Sequence, residues 1–276
     1  MKSERIINGN RAMTLHIVST VLAVAAAAAA SDQCNTWTDV GGGVNGFVYD
    51  MKVVDGDLIV CGQFTDASGT PASRVARWDG EQWHALGNGV SATANALAVY
   101  DGDLIVGGRF SVAGNTPVNN IARWDGEQWH ALGIGVDGPI NPRVLALHVH
   151  EGDLYAAGLF TQLASGEPVN GIARWDGTQW HPVGDGLSDN AESNPVTAIT
   201  TYEGQLIAAG NFTGVDGDAP LLKIAYWHED EAEWFPLGQG PGSDGLQTGG
   251  LLGSLGVLGL TVYNGDLIAG GFFDQA

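Results

Sequence analysis

Apolar and polar residues alternate along most of this chain in short runs, as in Ala96-Leu-Ala-Val-Tyr100. Alternation with a period of two is typical of β-strands that bury one face. The runs are separated by Asp-Gly and other glycine-containing pairs, which favour the tight turns of β-hairpins. No segment after the first thirty residues keeps the 3.6-residue apolar period of a helix. The pattern therefore predicts an all-β protein built from short hairpins.

The alternating runs belong to a repeat. A phrase with two tryptophans on either side of a turn occurs four times, at Val75–Gly87, Ile121–Gly133, Ile172–Gly184 and, in a looser copy, Ile224–Gly238. A leucine follows a glycine turn in a second recurring piece, and successive copies lie 46 to 61 residues apart, at Leu58, Leu104, Leu154, Leu206 and Leu267. This spacing suits one propeller blade per repeat and is too long for ankyrin or tetratricopeptide units.

Each unit divides into four strands. In the second unit we expect them at Asn95–Tyr100, Leu104–Phe110, Asn120–Trp124 and Gln128–Leu132. In an antiparallel sheet the turns after the first and third strands lie on one rim, which we call the tight-turn rim. The loop after the second strand and the link to the next unit lie on the opposite, long-loop rim. Its loops differ in length and sequence, so we expect recognition there.

An apolar strand that ends in a glycine pair, Leu104-Ile-Val-Gly-Gly108, is followed by Trp124 and Trp129. This arrangement resembles the kelch repeat of galactose-oxidase-type propellers and, more closely, the Trp-Asp-Gly repeat arrays of secreted bacterial surface proteins. The resemblance covers the chain from Trp37 onward. It implies a β-propeller of four-stranded antiparallel blades, but it says little about activity because propellers include enzymes, lectins and scaffolds. No tyrosine, cysteine and histidine set matches the copper site of galactose oxidase.

The repeat boundaries give a domain prediction. Residues 31–276 are expected to form the propeller, with blades at about 44–89, 90–136, 137–187 and 188–240, a partial blade at 241–276, and a lone outer strand at 36–41. Joining the two ends leaves no third strand for a closing blade. Either that blade is defective or the chain is part of a longer ring, and we favour a propeller that is incomplete at the C-terminus.

Residues 1–30 resemble an export signal. Lys2, Arg5 and Arg11 precede an apolar run from Leu15 to Ala30 that ends in small residues suited to cleavage. A membrane anchor is the alternative, but the run is shorter than the roughly 20 residues that a spanning helix needs. We therefore expect a secreted or cell-surface protein without a stable membrane span after cleavage.

Charge and cysteine content narrow the partners further. The formal net charge is −20, and removal of residues 1–30 takes away more basic than acidic residues. Because nucleic-acid binding depends on Lys and Arg, a nucleic-acid partner is not expected. Two cysteines in an exported chain permit a Cys34–Cys61 disulfide. The alternative is that Cys61 is a small buried residue.

Candidate catalytic and metal-binding residues give weak signals. His84, His130 and His181 occupy the same position in successive outer strands, so the ring would hold them too far apart for one metal ion. His148 and His150 share a strand face, but no third ligand is evident. The aspartates of the Asp-Gly turns are explained by the turns themselves. We therefore assign no catalytic residue, metal site or cofactor, and leave ligand-binding residues unassigned.

A pair of residues that recurs in three of the repeats predicts a structural contact. Three units place an aspartate after the first turn and an arginine before the first tryptophan, as Asp57 with Arg77, Asp103 with Arg123, and Asp153 with Arg174. Both positions reach the tight-turn rim, so we expect three ion pairs of bidentate geometry. The fourth unit has Gln205 and Tyr226 at these positions.

The functional hypothesis is an exported, non-catalytic propeller that binds a protein or a glycan through its long-loop rim. The alternative is a secreted carbohydrate-active enzyme whose catalytic carboxylates lie in the long loops, for which Asp66, Glu167 and Asp216 are eligible.

Overall fold

A computed structural model describes residues 39–187, 194–212, 223–237 and 256–272, and the backbone of two further strands at Ser3–Asn8 and Arg11–Ile17. All regular structure in these ranges is β-strand, in agreement with the all-β prediction. The same ranges contain no helix that could span a membrane.

Four successive sheets share one plan, in which four antiparallel strands follow one another in chain order. The first sheet consists of Phe47–Val54, Asp57–Gln63, Val75–Trp78 and Trp83–Ala85. The second consists of Ala94–Tyr100, Asp103–Gly108, Ile121–Trp124 and Trp129–Ala131. The third consists of Arg143–His150, Asp153–Leu159, Ile172–Trp175 and Trp180–Pro182. The fourth consists of Val196–Tyr202, Gln205–Gly210, Ile224–His228 and Glu233–Pro236.

A fifth sheet departs from this plan. Val257–Tyr263 and Asp266–Gly271 form its first two strands. Arg11–Ile17 lies beside the second of these in parallel orientation, with Leu15 opposite Leu267, and Ser3–Asn8 forms the edge. The strands at Ser3–Asn8 and Arg11–Ile17 fall within the segment expected to be an export signal. The remainder of that segment, Cys34, and residues 36–38 of the expected outer strand at 36–41 lie outside the described residues, and residues 39–41 are not in a strand.

The two kinds of turn differ in geometry. Between the first and second strands of the second sheet, Asp101 and Gly102 both have positive φ angles, 50° and 84°, as a two-residue hairpin turn requires. The Asp125-Gly126 link was expected to be a turn of the same kind, but it spans four residues. The Asp125 carboxylate accepts hydrogen bonds from the backbone N–H groups of Glu127 and Gln128. The fourth strand therefore begins at Trp129.

Small hairpins organise the long-loop rim. Three long loops contain two-residue strands. Two of them form a small hairpin within the loop, Asp66–Ala67 with Thr70–Pro71 and Val112–Ala113 with Thr116–Pro117. In the third, Gln162–Leu163 pairs with Val136–Asp137, a short strand in the preceding link. Val44 and Val90, in the links before the first two sheets, form bridges to Ala67 and Ala113. This repeated arrangement ties each unit to the link before it, and recognition through the long-loop rim stays a prediction.

Tryptophan side chains join each sheet to the strand that precedes it. The outer-strand tryptophans donate their indole N–H groups to backbone carbonyls at distances of 2.8 to 3.1 Å, as Trp83 to Val40, Trp129 to Leu86, Trp180 to Leu132, and Trp234 to Val183. Each ring also packs against the third-strand tryptophan of its own sheet, with centroids 5.2 to 5.4 Å apart. The indole thus combines core packing with a directional bond between neighbouring units.

We expect Trp129→Ala to lower the free energy of unfolding by about 3 to 5 kcal/mol, because a large buried ring is removed. Trp129→Phe keeps most of the packing and removes the indole donor, so it should cost less than the alanine variant but still leave the Leu86 carbonyl without that donor. Urea denaturation of the three proteins measures both effects. Equal stability of Trp129→Ala and the unchanged protein would contradict the packing role.

The first strand of each sheet packs against the preceding sheet. Leu97 is 1% exposed and belongs to one buried cluster with Ile59 and Cys61 of the first sheet. Met51 occupies the same register position in the first sheet, because Met51 pairs with Val60 as Leu97 pairs with Val106. Met51 is nevertheless 59% exposed. Val48 and Val53, which share this face after the register shift between Val48 and Asp50, are exposed as well.

Met51→Ala and Leu97→Ala form a matched pair. We expect Leu97→Ala to cost about 2 to 5 kcal/mol, because it opens a cavity between two sheets. Met51→Ala should change stability by less than about 1 kcal/mol, since an exposed side chain leaves no cavity. Thermal and urea unfolding of both variants tests the difference. A large loss for Met51→Ala would mean that another surface covers this face in solution.

Cys61 is a free thiol whose side chain is fully buried within the second strand of the first sheet. Burial raises the pKa of this thiol well above its usual value. Cys61 is a small buried residue, and the Cys34–Cys61 disulfide stays a prediction because Cys34 lies outside the described residues.

Candidate functional site

Ion pairs occupy the tight-turn rim of the first three sheets. Arg77 Nη1 lies 2.5 Å from Asp57 Oδ2, and Arg174 Nη1 lies 2.8 Å from Asp153 Oδ2. Arg123 and Asp103 make the equivalent contact in the second sheet. Each contact joins one guanidinium nitrogen to one carboxylate oxygen, whereas a bidentate geometry was expected. The side chains of all six residues are partly exposed, so each pair acts as a modest clamp between two strands.

The recurrent histidines have partners in their own turns. His84 Nε2 lies 2.5 Å from Asp79 Oδ2, and the pairs His130 with Asp125 and His181 with Asp176 are separated by 2.6 Å. Backbone N–H groups donate to the other carboxylate oxygen of each aspartate. In Asp79 the hydrogen bond from the Gln82 backbone, followed by that from His84, holds the pKa well below its usual value. These aspartates are ionised turn caps.

The fourth unit changes this chemistry. Gln205 and Tyr226 stand where the other units have the aspartate and the arginine, so the ion pair is lost. Tyr226 stacks on Phe235 with centroids 5.7 Å apart. His228 and Glu229 replace the Asp-Gly pair, and Trp227 donates its indole N–H to Glu229 Oε2 over 2.7 Å.

A cleft of about 220 Å³ opens at this point, between the tight turns of the third and fourth sheets. Residues 150–151, 204–206 and 227–230 line it. Two residues of the lining, Gln205 and His228, each carry a buried side-chain atom, Oε1 and Nδ1, that has no hydrogen-bond partner. In the alternation of their strands both residues lie on the side of Ile207 and Ile224, whose cluster packs against the fifth sheet. A buried polar atom without a partner carries a free-energy cost of about 1 to 3 kcal/mol, which a ligand or water can remove. We identify this cleft as the candidate site.

The cleft is acidic. Glu151, Glu229 and Asp230 contribute three carboxylates, and its lining contains no lysine or arginine. Trp227 adds an aromatic ring that is mostly buried. Such a lining accepts hydrogen bonds and attracts positive charge, and it offers no cationic group for an anion.

One wall of the cleft is held by a pair of histidines. His148 Nε2 and His150 Nδ1 lie 2.8 and 2.9 Å from the hydroxyl of Thr201 in the next sheet. Burial, followed by the charge of His150, lowers the pKa of His148 to about 4. His148 is therefore neutral at physiological pH. Within the described ranges, no three His, Cys, Asp or Glu residues come close enough together to hold a metal ion.

Sequence reasoning did not assign the cleft residues. The available signal was the simultaneous change to Gln205 and Tyr226, which marked the loss of a clamp without indicating what replaced it. Of the loop acids considered, Asp66 accepts a hydrogen bond from the Gly69 backbone over 2.7 Å, Glu167 lies in a loop hairpin, and Asp216 lies outside the described residues. Neither Asp66 nor Glu167 lines the cleft.

Comparison with known proteins gives a distant likeness of fold. No family model matches the chain, and no curated protein matches it. Among solved structures, it is similar to the extracellular domain of a protein described as a hybrid two-component system of B. thetaiotaomicron, with a TM-score of 0.50 and 10% identity. The match covers 82% of this chain and 25% of that one. At this identity the likeness concerns the fold alone.

The clamps can be tested by a double-mutant cycle on Asp103→Asn and Arg123→Gln. We expect a coupling energy of about 0.2 to 1 kcal/mol, because the pair is partly exposed to solvent. The coupling should fall as salt is added, since screening weakens exposed pairs. Gln205 and Tyr226 provide the matched comparison, and a cycle on Gln205→Ala and Tyr226→Phe should show no salt-dependent coupling. Absence of coupling between Asp103 and Arg123 would contradict the clamp.

Proposed function

We propose that this chain is a non-catalytic binding module of β-propeller architecture. Four successive sheets with one plan, joined by packing of first strands and by indole-to-carbonyl bonds, support an arrangement of blades around a common axis. In this proposal the fifth sheet is a partial blade, and the exposed face of Met51 is an inter-blade surface that lacks its neighbour.

The observation that carries the binding proposal is the acidic cleft between the tight turns of the third and fourth sheets. It occurs at the one unit, of the four regular ones, whose tight-turn rim lacks the Asp–Arg clamp. The ligand is a protein or a glycan that supplies hydrogen-bond donors. The tight-turn rim is favoured over the long-loop rim because small hairpins already occupy three of the long loops.

Binding is favoured over catalysis by the state of the repeated carboxylates. Asp79, Asp125 and Asp176 have pKa values well below the usual range, caused mainly by hydrogen bonds from the turn, so they stay ionised at neutral pH. A general acid needs a proton to donate at the working pH. The carbohydrate-active alternative would therefore depend on other carboxylates.

The proposed setting is the cell surface or the extracellular space. The export signal expected at residues 1–30 supports this setting, as does the extracellular origin of the similar structure. The acidic chain is suited to a soluble partner and not to nucleic acid.

Two screens on the chain from residue 31 onward test the proposal. A combined glycan and peptide array should give binding signals that His228→Ala together with Asp230→Ala removes. Glu127→Ala, in the corresponding turn of the second sheet, serves as the matched control and should leave binding intact. A polysaccharide-degradation screen runs in parallel. Release of reducing sugar that is abolished by replacement of a single loop acid would contradict a non-catalytic role and support the enzyme.

A further inference from the structure

Neighbouring sheets contact one another through the same two surfaces each time. The first strand of a sheet turns one side toward the sheet before it, and we call this side, which carries Val48 and Met51 in the first sheet, the leading face. The earlier sheet contributes the side that carries Ile59 in the first sheet, which we call the trailing face. Four such contacts join the five sheets, each with its own cluster of buried residues. The leading face of the first sheet and the trailing face of the fifth are left over from this series.

The leading face of the first sheet is apolar and exposed. Val48 pairs with Gly62 as the corresponding residue of each later sheet pairs with a glycine of its second strand. Val48 is 38% exposed, whereas the residues at its position in the later sheets are at most 1% exposed, namely Ala94, Val144, Val196 and Val257. Met51 is exposed where Leu97 is buried. This face therefore has the residues of a contact between sheets without the sheet that would cover them.

The trailing face of the fifth sheet is exposed in the same way. Tyr263, the last residue of the first strand, is 67% exposed, whereas its counterparts in the preceding three sheets, Tyr100, His150 and Tyr202, are 4 to 8% exposed. Tyr202 shows what this position does when a neighbour is present, because its hydroxyl donates to the Gly265 carbonyl, in the first turn of the next sheet, over 3.1 Å. Ile268 is only partly buried, although Ile59 at the same position is buried.

We propose that the trailing face of the fifth sheet binds the leading face of the first sheet of a second copy of this chain. One chain carries both halves of the contact, and both are exposed in the same molecule, so another copy supplies the neighbour that each half lacks. Met51 takes the place that Leu97 has in the contact between the first two sheets. The Tyr263 hydroxyl donates to the Gly56 carbonyl of the other copy, as Tyr202 donates within the chain. The contact is heterologous, because it joins two different surfaces.

Apolar burial favours this contact and net charge opposes it. The residues that define both faces are uncharged, but the chain has a formal net charge of −20, so two copies repel one another. Salt screens the repulsion without weakening apolar burial, and association should therefore strengthen between low and physiological ionic strength. A contact of one sheet with one sheet belongs to the small, weak interfaces. We expect single chains at the low concentrations used for unfolding measurements.

Sedimentation velocity of the full chain over about two decades of concentration tests the proposal. We expect the average mass to rise with concentration. Met51→Asp and Tyr263→Asp each place a carboxylate in one apolar face, so each should weaken association at least about tenfold. Both side chains are exposed, so both variants should keep the melting temperature of the dilute chain. Ile134→Asp is the matched control, because Ile134 is an exposed apolar residue in the link before the third sheet, and association should stay within about twofold.

A mixture of the two variants tests whether the contact joins different faces. Met51→Asp keeps an intact trailing face, and Tyr263→Asp keeps an intact leading face. Neither variant should associate by itself, but an equimolar mixture should form a pair with one copy of each, with an affinity within about threefold of that of the unchanged chain. Because each member of the pair has one blocked face, association should stop at two copies.

A single copy at every concentration would overturn the proposal, as would association that neither substitution weakens. A mixture that stays monomeric would also overturn it, because the contact would then not join the two different faces. Loss of stability in Met51→Asp under conditions where the chain is single would show that the two faces meet within one molecule, with the same consequence. The proposal goes beyond the proposed function and does not involve the cleft. Array binding that depends on His228 and Asp230 would therefore survive any of these results, and its absence would leave the self-association measurements unaffected.

Discussion

The indole N–H of each outer-strand tryptophan, bonded to a backbone carbonyl in the segment that precedes its sheet, is the contact on which the arrangement of sheets depends. A four-stranded sheet of this size buries little by itself and needs a neighbour on each face. Apolar packing between faces is not directional and tolerates sliding. The hydrogen bond from Trp129 to Leu86 fixes the second sheet relative to the first at the fourth strand. The packing of Leu97 against the first sheet fixes it at the first strand. Repetition of both contacts defines one consistent relation between successive units.

That relation also explains why chemistry is concentrated at the tight-turn rim. With the same register in every unit, the start of each second strand stands beside the end of the third strand, and the two side chains there must be compatible. Three units place opposite charges at this point, and ionic contact satisfies both. The fourth unit places an amide and an aromatic ring there. The plan of the sheet is unchanged, and Tyr226 packs on Phe235 and on the cluster shared with the fifth sheet.

The fold follows a pattern that was largely legible in the sequence. Strand positions in the second unit, the positive φ angles at Asp101 and Gly102, and the pairing of Asp103 with Arg123 all agree with expectation. The Asp125 turn and the long loops differ from it. Asp125 caps two backbone N–H groups and so lengthens its turn, and Ala113 bridges to Val90 and so orders its loop. Both differences arise from hydrogen bonds that no periodicity of apolar residues reports.

By itself the sequence determined the strands, the turns and the repeated clamp. These features depend on residues that are neighbours in one strand or on strands joined by a hairpin, and the repeat shows which strands pair. The tertiary structure decided which side chains remain without partners. Met51 is exposed and Leu97 buried although both are apolar at the same register position, because only Leu97 has a sheet packed against it. The cleft exists because the turn of the third sheet stands opposite the turns of the fourth. Whether a side chain is buried or exposed depends on residues far away in the sequence, and the type of the residue alone does not predict it.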